Sequence, residues 1–155
     1  MCAPSGGQTG GGSLRGPETM ASGQVQAVSC VVDTDVVIDF LRGRDYARGL
    51  LDHWASRGLL GVSAVTHLEV YHGMREGEEA DTKAFLEGLV AVPVDVPVAR
   101  KAGALLRELR PQGLTIGPAD ALIAATALTL GVPLLTNNLE HYPFPGLNVV
   151  PGLVR

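Results

Sequence analysis

The stretch CVVDTDVVIDFLRG, Cys30 to Gly43, decides the reading of the chain. A short apolar run stops abruptly at Asp33, and two more carboxylates follow at Asp35 and Asp39. An open α/β sheet binds its ligands beyond the carboxyl ends of its strands, so acids placed there are candidates for chemistry. An ordinary strand also ends this way, and an ordinary helix begins with the same residue types.

Strand and helix patterns alternate outward from this stretch. AVSCVV before Asp33 has the continuous apolar character of a buried strand. DTDVVIDFLRG begins with capping residues and stops at Gly43, the pattern of a short helix. DYARGLLDHWASRG predicts an amphipathic helix, LLGVS a strand, AVTHLEVYHGMRE and EEADTKAFLEGL two helices, and VAVPVD a strand. VPVARKAGALLRELR predicts a helix stopped by Pro111. GPADALIAATALTLG predicts another, with Pro118 at its start and Gly131 at its end. VPLLTNN and LNVVP complete the pattern as strands. This alternation predicts an α/β domain, a central mainly parallel sheet between two helical layers. Residues 1–27 are rich in Gly, Ser and Pro and predict a disordered extension, leaving 28–155 as the domain.

Composition bounds the function. The 155 residues suffice for one domain. A net charge of −4, with Lys83 and Lys101 as the only lysines, gives no support for broad coating of nucleic acid by net charge. It does not exclude an enzyme that meets nucleic acid through bound cations. Cys2 and Cys30 make no disulfide framework, which fits a reducing, cytoplasmic compartment. The first 27 residues lack the apolar run of a secretory signal, and ALIAATALTLGVPLL is too short and broken for a membrane span.

Four positions follow predicted strand ends or open the next helix: Asp33, Glu69, Asp120 and Asn138. Asp35 reads as a helix cap or first-turn acid, and Asp39 as a solvated one. Glu69 sits between Leu68 and Val70 in a helix with few charges, where an unpartnered buried acid costs several kcal/mol. Asp120 is the only charge in DALIAATALTL and stands at the mouth of a buried helix. His67 and His72 lack the spacing of a zinc pair, and His141 reads as a surface or satisfied side chain.

Two enzyme classes fit these acids. DTDVV matches the opening motif of haloacid-dehalogenase-like phosphatases, with Asp33 as phosphoryl acceptor and Asp35 as acid/base. That chemistry also needs a lysine at the phosphoryl group and a later acidic pair for magnesium, and no such pair occurs.

The second class uses all four positions. VVDTDVVIDFLRG, SAVTHLEVYHGM, PADALIAATALTLGVPLLT and TNNLEHY, in that order, resemble the segments of PIN-domain endoribonucleases, in particular VapC-type toxins of toxin–antitoxin pairs. The last segment resembles a T-x-D/N-x-x-H-F/Y loop. The resemblance implies a three-layer α/β/α PIN domain and a metal-dependent endoribonuclease cutting structured RNA, such as transfer or ribosomal RNA loops. It implies Asp33, Glu69 and Asp120 as ligands of Mg²⁺ or Mn²⁺, with Asn138 where many members carry a fourth acid. Thr34, Asp35 and Thr136 match polar positions around the site. Crowded carboxylates repel and partly protonate, and a hard divalent cation relieves this. Arg42 and Arg44 are placed to hold flanking RNA backbone. The resemblance further implies a cognate antitoxin, whose C-terminal segment covers a groove with Leu41, Leu50 and Trp54 as anchors, and a homodimer or antitoxin-bound hetero-oligomer. A PIN-like binding module without catalysis is the third reading. The three retained acids weigh against it, and Asn138 is its one supporting feature.

Overall fold

The computed structural model describes residues 18–21 and 24–153. Six strands form one sheet: β1 (Glu18–Ala21), β2 (Gln24–Val32), β3 (Leu59–Ser63), β4 (Val90–Val92), β5 (Leu134–Leu135) and β6 (Val149–Val150). Their order is β4-β3-β2-β5-β6, and every neighbouring pair along it is parallel. β1 lies off this path and pairs antiparallel with the first half of β2. Among the described residues, six α-helices connect the strands: α1 (Thr34–Leu41), α2 (Asp45–Ala55), α3 (Ala64–His72), α4 (Glu79–Glu87), α5 (Val96–Leu109) and α6 (Pro118–Leu130).

Strand alternation divides the core. Val31 of β2 and Leu134 of β5 face α5 and α6, packing with Leu105, Leu109, Ile123 and Ala124. Cys30, Val32 and Leu135 face the other way, onto Val36 and Val37 of α1, Leu51 of α2, Val70 of α3 and Leu86 of α4. Both sheet faces are therefore covered, which explains the apolar run Cys30–Val32 at the end of β2. The result is the expected three-layer α/β/α domain. In this apolar setting burial pushes the Cys30 thiol up to about 11, so it stays protonated.

Several boundaries differ from the sequence expectation. The predicted extension over 1–27 lies partly outside the described residues; within them, Glu18–Ala21 pairs with Gln24–Ala27. Strand pairing is a backbone interaction and does not require the continuous apolar run that marks a buried strand. β5 ends at Leu135 rather than running through Asn138, because the backbone N–H of Asn137 turns to the Asp35 carboxylate instead of a neighbouring strand. α3 stops at His72, where Gly73 caps it. Gly131, at φ 70°, ends α6 in the left-handed conformation that glycine adopts without strain. Among the described residues, no helix is long and apolar enough to cross a membrane.

Candidate active site

Asp33 ends β2 and caps α1 at once. Its Oδ1 accepts from the Thr34 N–H at 2.7 Å, and its carbonyl accepts from the N–H groups of Val36 and Val37. The cap is therefore Asp33, not Asp35. Asp35 sits in the first turn, accepting from Val36 N–H at 2.8 Å and reaching across to Asn137 N–H at 2.9 Å. Asp39, expected to be solvated, instead accepts from the Tyr46 hydroxyl and pairs with Arg44 at 3.8 Å.

Asp33 is only 3% exposed, and two distant hydroxyls reach it. Thr136, just past β5, donates to Oδ2 at 2.6 Å, and Tyr142 donates to Oδ1 at 3.0 Å. Burial first, and the neighbouring Asp35 charge second, push the Asp33 carboxyl up to about 7; the donors from Thr136, Thr34 and Tyr142 pull it the other way. Asp35 is also raised by burial, against the N–H groups of Asn137 and Val36.

The other acids join this centre through hydroxyls. Tyr142, buried itself, lies with its hydroxyl 3.2 Å from Asp120 Oδ1, so it stands between Asp33 and Asp120. Thr34 donates to Glu69 Oε1 at 2.6 Å, with the Thr66 hydroxyl 3.1 Å away. Glu69 is half-buried, whereas its neighbour Leu68 is 67% exposed. Glu69 is thus held by a specific partner rather than buried by apolar neighbours. Asn138 donates its backbone N–H to Thr136 Oγ1 at 3.0 Å.

Asp33, Glu69, Asp120 and Asn138 line one open pocket of about 550 Å³, together with Thr34, Asp35, His72 and His141. It lies where β2, β3 and β5 deliver their carboxyl ends, as the sheet topology requires. His141 is part of the centre, contrary to the sequence expectation: its Nδ1 is 3.2 Å from Asp120 Oδ2. Neither Lys83 nor Lys101 lines this pocket, so the phosphatase reading lacks its cation.

The sequence reading also missed Tyr142 and Asn137. Tyr142 closes the T-x-D/N-x-x-H-F/Y segment, and that aromatic position was its available signal. Asn137 occupies an unspecified position of the same segment and gave no signal.

The donor set consists of hard carboxylate and amide oxygens, which suit Mg²⁺ or Mn²⁺ rather than a soft metal. The raised Asp33 carboxyl beside Asp35 is the electrostatic burden that a cation relieves. Among the described residues, no three acids or histidines are drawn together tightly enough to form a finished coordination cage. The chemistry of the donors fits a divalent ion, and binding one requires the side chains to close inward.

A second cavity of about 160 Å³ adjoins the site through Ile38, which lines both. Leu41, Val70 and Met74 form its apolar wall, and Arg42, Glu78 and Asp81 its charged rim. Arg42 is 3.9 Å from Glu78. Leu50 and Trp54, expected as groove anchors, instead pack with Leu51 against the core on that side of the sheet, because α2 lies against α1, β2 and β3.

Residues 30–145 match the family model of the PIN domain. Over 119 residues the chain is 37% identical to ribonuclease VapC19 of Mycobacterium tuberculosis, covering 76% of this chain and 95% of that protein. A toxin–antitoxin complex from Klebsiella pneumoniae superposes with a TM-score of 0.69 at 28% identity, covering 81% of this chain and 98% of that one. The DNA-bound VapBC structure from Salmonella typhimurium superposes with a TM-score of 0.73 at 25% identity, covering 81% and 99%. The chain belongs to the PIN-domain family, among its VapC ribonucleases.

Proposed function

We propose that this protein is a divalent-metal-dependent endoribonuclease of the toxin class, restrained by a cognate antitoxin. One observation carries the reading: Asp33, Glu69 and Asp120, from three separate segments, line one pocket and are linked through Thr34, whose N–H meets Asp33 and whose hydroxyl meets Glu69, and through the Tyr142 hydroxyl between Asp33 and Asp120. Acids left near one another, and partly buried, are costly unless they serve a charge.

Asp33, Glu69 and Asp120 would hold the ion, with Asn138 beside them. The chemistry that Mg²⁺ or Mn²⁺ supplies when bound is activation of a water and polarisation of the phosphoryl oxygen. Thr136, Thr34 and Tyr142 keep the carboxylates aimed into the pocket, and a carboxylate not engaged in binding takes the proton of the attacking water. His141, held by Asp120, and His72 stand on the rim where RNA phosphates would lie. Arg42 and Arg44 hold flanking backbone after exchanging their present partners Glu78 and Asp39 for phosphate. The products are a 5′-phosphate and a 3′-hydroxyl, and the substrates are single-stranded loops of structured RNA, as in transfer or ribosomal RNA. On this reading the protein works in the cytoplasm.

The adjoining cavity suits an antitoxin segment. Its apolar wall at Leu41, Val70 and Met74 accepts hydrophobic side chains, and Glu78 and Asp81 attract a basic one on its way to the acidic pocket. The protein is proposed to work as a homodimer that becomes a hetero-oligomer when restrained. Incubating the antitoxin-free chain with total bacterial RNA and Mg²⁺ or Mn²⁺ tests the reading. Discrete fragments that vanish with EDTA support it; intact RNA under all conditions rejects it and favours the binding module.

A further inference from the structure

The loop leaving β5 is tied down by a side chain that the chemistry above does not use. Asn137 donates its backbone N–H to Asp35 Oδ2 at 2.9 Å and its amide Nδ2 to the Tyr46 hydroxyl at 2.6 Å. Its Oδ1 accepts from two successive backbone N–H groups, those of Gly152 at 2.9 Å and Leu153 at 3.0 Å. Tyr46 in turn donates to Asp39. A single residue therefore joins α1, α2 and the segment that follows β6.

Its neighbours in the chain are site residues. Thr136 donates to Asp33, and Asn138 lines the acidic pocket while donating its N–H to Thr136. Only a planar primary amide of this length offers a donor to Tyr46 and two lone pairs to the chain beyond β6. Aspartate would lose the donor and set another charge beside Asp35. Gly152 completes the arrangement by close approach: a Cβ there would come within 2.6 Å of Tyr46 Cε2 and 2.8 Å of Leu50 Cδ2.

We propose that Asn137 is a positioning residue and that Pro151–Leu153 is a clamp acting through it. While the clamp is closed, Thr136 and Asn138 are fixed against Asp33; when it opens, the loop loses that register and the site is disarmed. The clamp consists of two hydrogen bonds and one close glycine approach at the sheet edge, so it opens locally without unfolding the core. The inference rests on the endoribonuclease reading for its consequence and on geometry alone for the coupling.

Gly152→Val and Asn137→Ala in the full chain test both parts. Hydrogen exchange reads the coupling without activity. In Gly152→Val the amides of Asn137 and Asn138 lose protection about tenfold or more, while Ala124 and Ala125 in α6 keep theirs. RNA cleavage in Mn²⁺ reads the consequence: each variant lowers kcat about tenfold or more with little change in KM, and the double variant is no worse than the poorer single one. Unchanged exchange at Asn137 and Asn138, or additive losses of kcat, overturns the proposal. If the unmodified chain cuts no RNA, the endoribonuclease reading falls, and exchange still decides the clamp. If Gly152→Val does not fold, Gly152→Ala carries the same test, because its single methyl already meets Tyr46.

Discussion

Tyr142 donates its hydroxyl proton to Asp33 Oδ1 at 3.0 Å, across 109 residues of chain, with Asp120 Oδ1 3.2 Å from the same oxygen. The hydroxyl spaces the two carboxylates and partly offsets their repulsion. Both acids also push the Tyr142 phenol well above its ordinary range, after burial, so it remains a donor at any working pH. Tyr142→Phe keeps the ring in its packing and removes only the donor. It lowers the apparent affinity for Mn²⁺ about tenfold, as outer partners of metal ligands do. It also costs about 1–2 kcal/mol of stability, read from urea unfolding. An unchanged Mn²⁺ titration would contradict the spacing role.

Asp33 carries an opposite trade. Ionising its buried carboxyl beside Asp35 destabilises the metal-free fold. Asp33→Asn removes that charge, so the metal-free variant is more stable by about 1–3 kcal/mol while its cleavage is lost. Saturating Mn²⁺ raises the melting temperature of the unmodified chain and not of the variant. Differential scanning fluorimetry with and without the ion checks both statements.

The same group sets a pH dependence. The folded Asp33 carboxyl titrates near 7, above its ordinary 3.8. Between those values the folded chain holds a proton that the unfolded chain has released. Stability from this group therefore falls as pH rises from about 4 to 7, by at most about 1.4 kcal/mol per pH unit, and is level above. Asp35, raised in the same direction, adds to the trend. Comparing the metal-free chain with Asp33→Asn isolates it: the unfolding free energy of the variant minus that of the unmodified chain rises on going from pH 5 to pH 7.5. A signed difference that falls would reverse the sign assigned here.

Thr34 holds Glu69 as Tyr142 holds the aspartates. Thr34→Val is close in shape and removes the 2.6 Å donor to Glu69, leaving the buried Thr66 hydroxyl without that neighbour. The expected loss is about 1 kcal/mol in stability and about tenfold in cleavage rate. Glu69→Gln with Thr34 intact separates charge from placement, since Gln accepts the same hydrogen bond but carries no charge.

In the proposed function, Arg42 and Arg44 are assigned to RNA backbone rather than to the chemistry. Replacing both with Ala raises KM with little change in kcat. It also flattens the salt dependence of RNA binding, by a slope of about 1 for each phosphate that no longer meets an arginine. Binding measured across a salt series checks it.

The sequence carried the frame of the site and not its wiring. Asp33 and Asp120 were legible because local rules mark them, one at a strand end and one in a helix first turn. Glu69 was legible for a different reason than the real one: Leu68 is exposed, and the partner that holds Glu69 is Thr34, which lies beside it only after α1 packs on α3. His141 and Tyr142 stand at specified positions of the T-x-D/N-x-x-H-F/Y segment, and Asn137 does not; the partners of all three are brought to them by the parallel sheet, and no local pattern encodes those meetings. The same limit applies to Leu50 and Trp54. Their helical spacing identifies an apolar face, and only the tertiary packing of α2 decides whether that face meets the core or a partner.

Single-turnover cleavage of one RNA fragment in Mn²⁺ by the unmodified chain and by Asp33→Asn, Glu69→Gln and Asp120→Asn tests most directly whether these acids work as one centre. Each substitution should reduce the rate by about a hundredfold or more, with the combined variant scarcely slower than any single one, because groups that act as a unit fail as a unit. A variant that keeps the unmodified rate would remove its carboxylate from the centre, and full activity in Asp33→Asn would contradict the assignment as a whole.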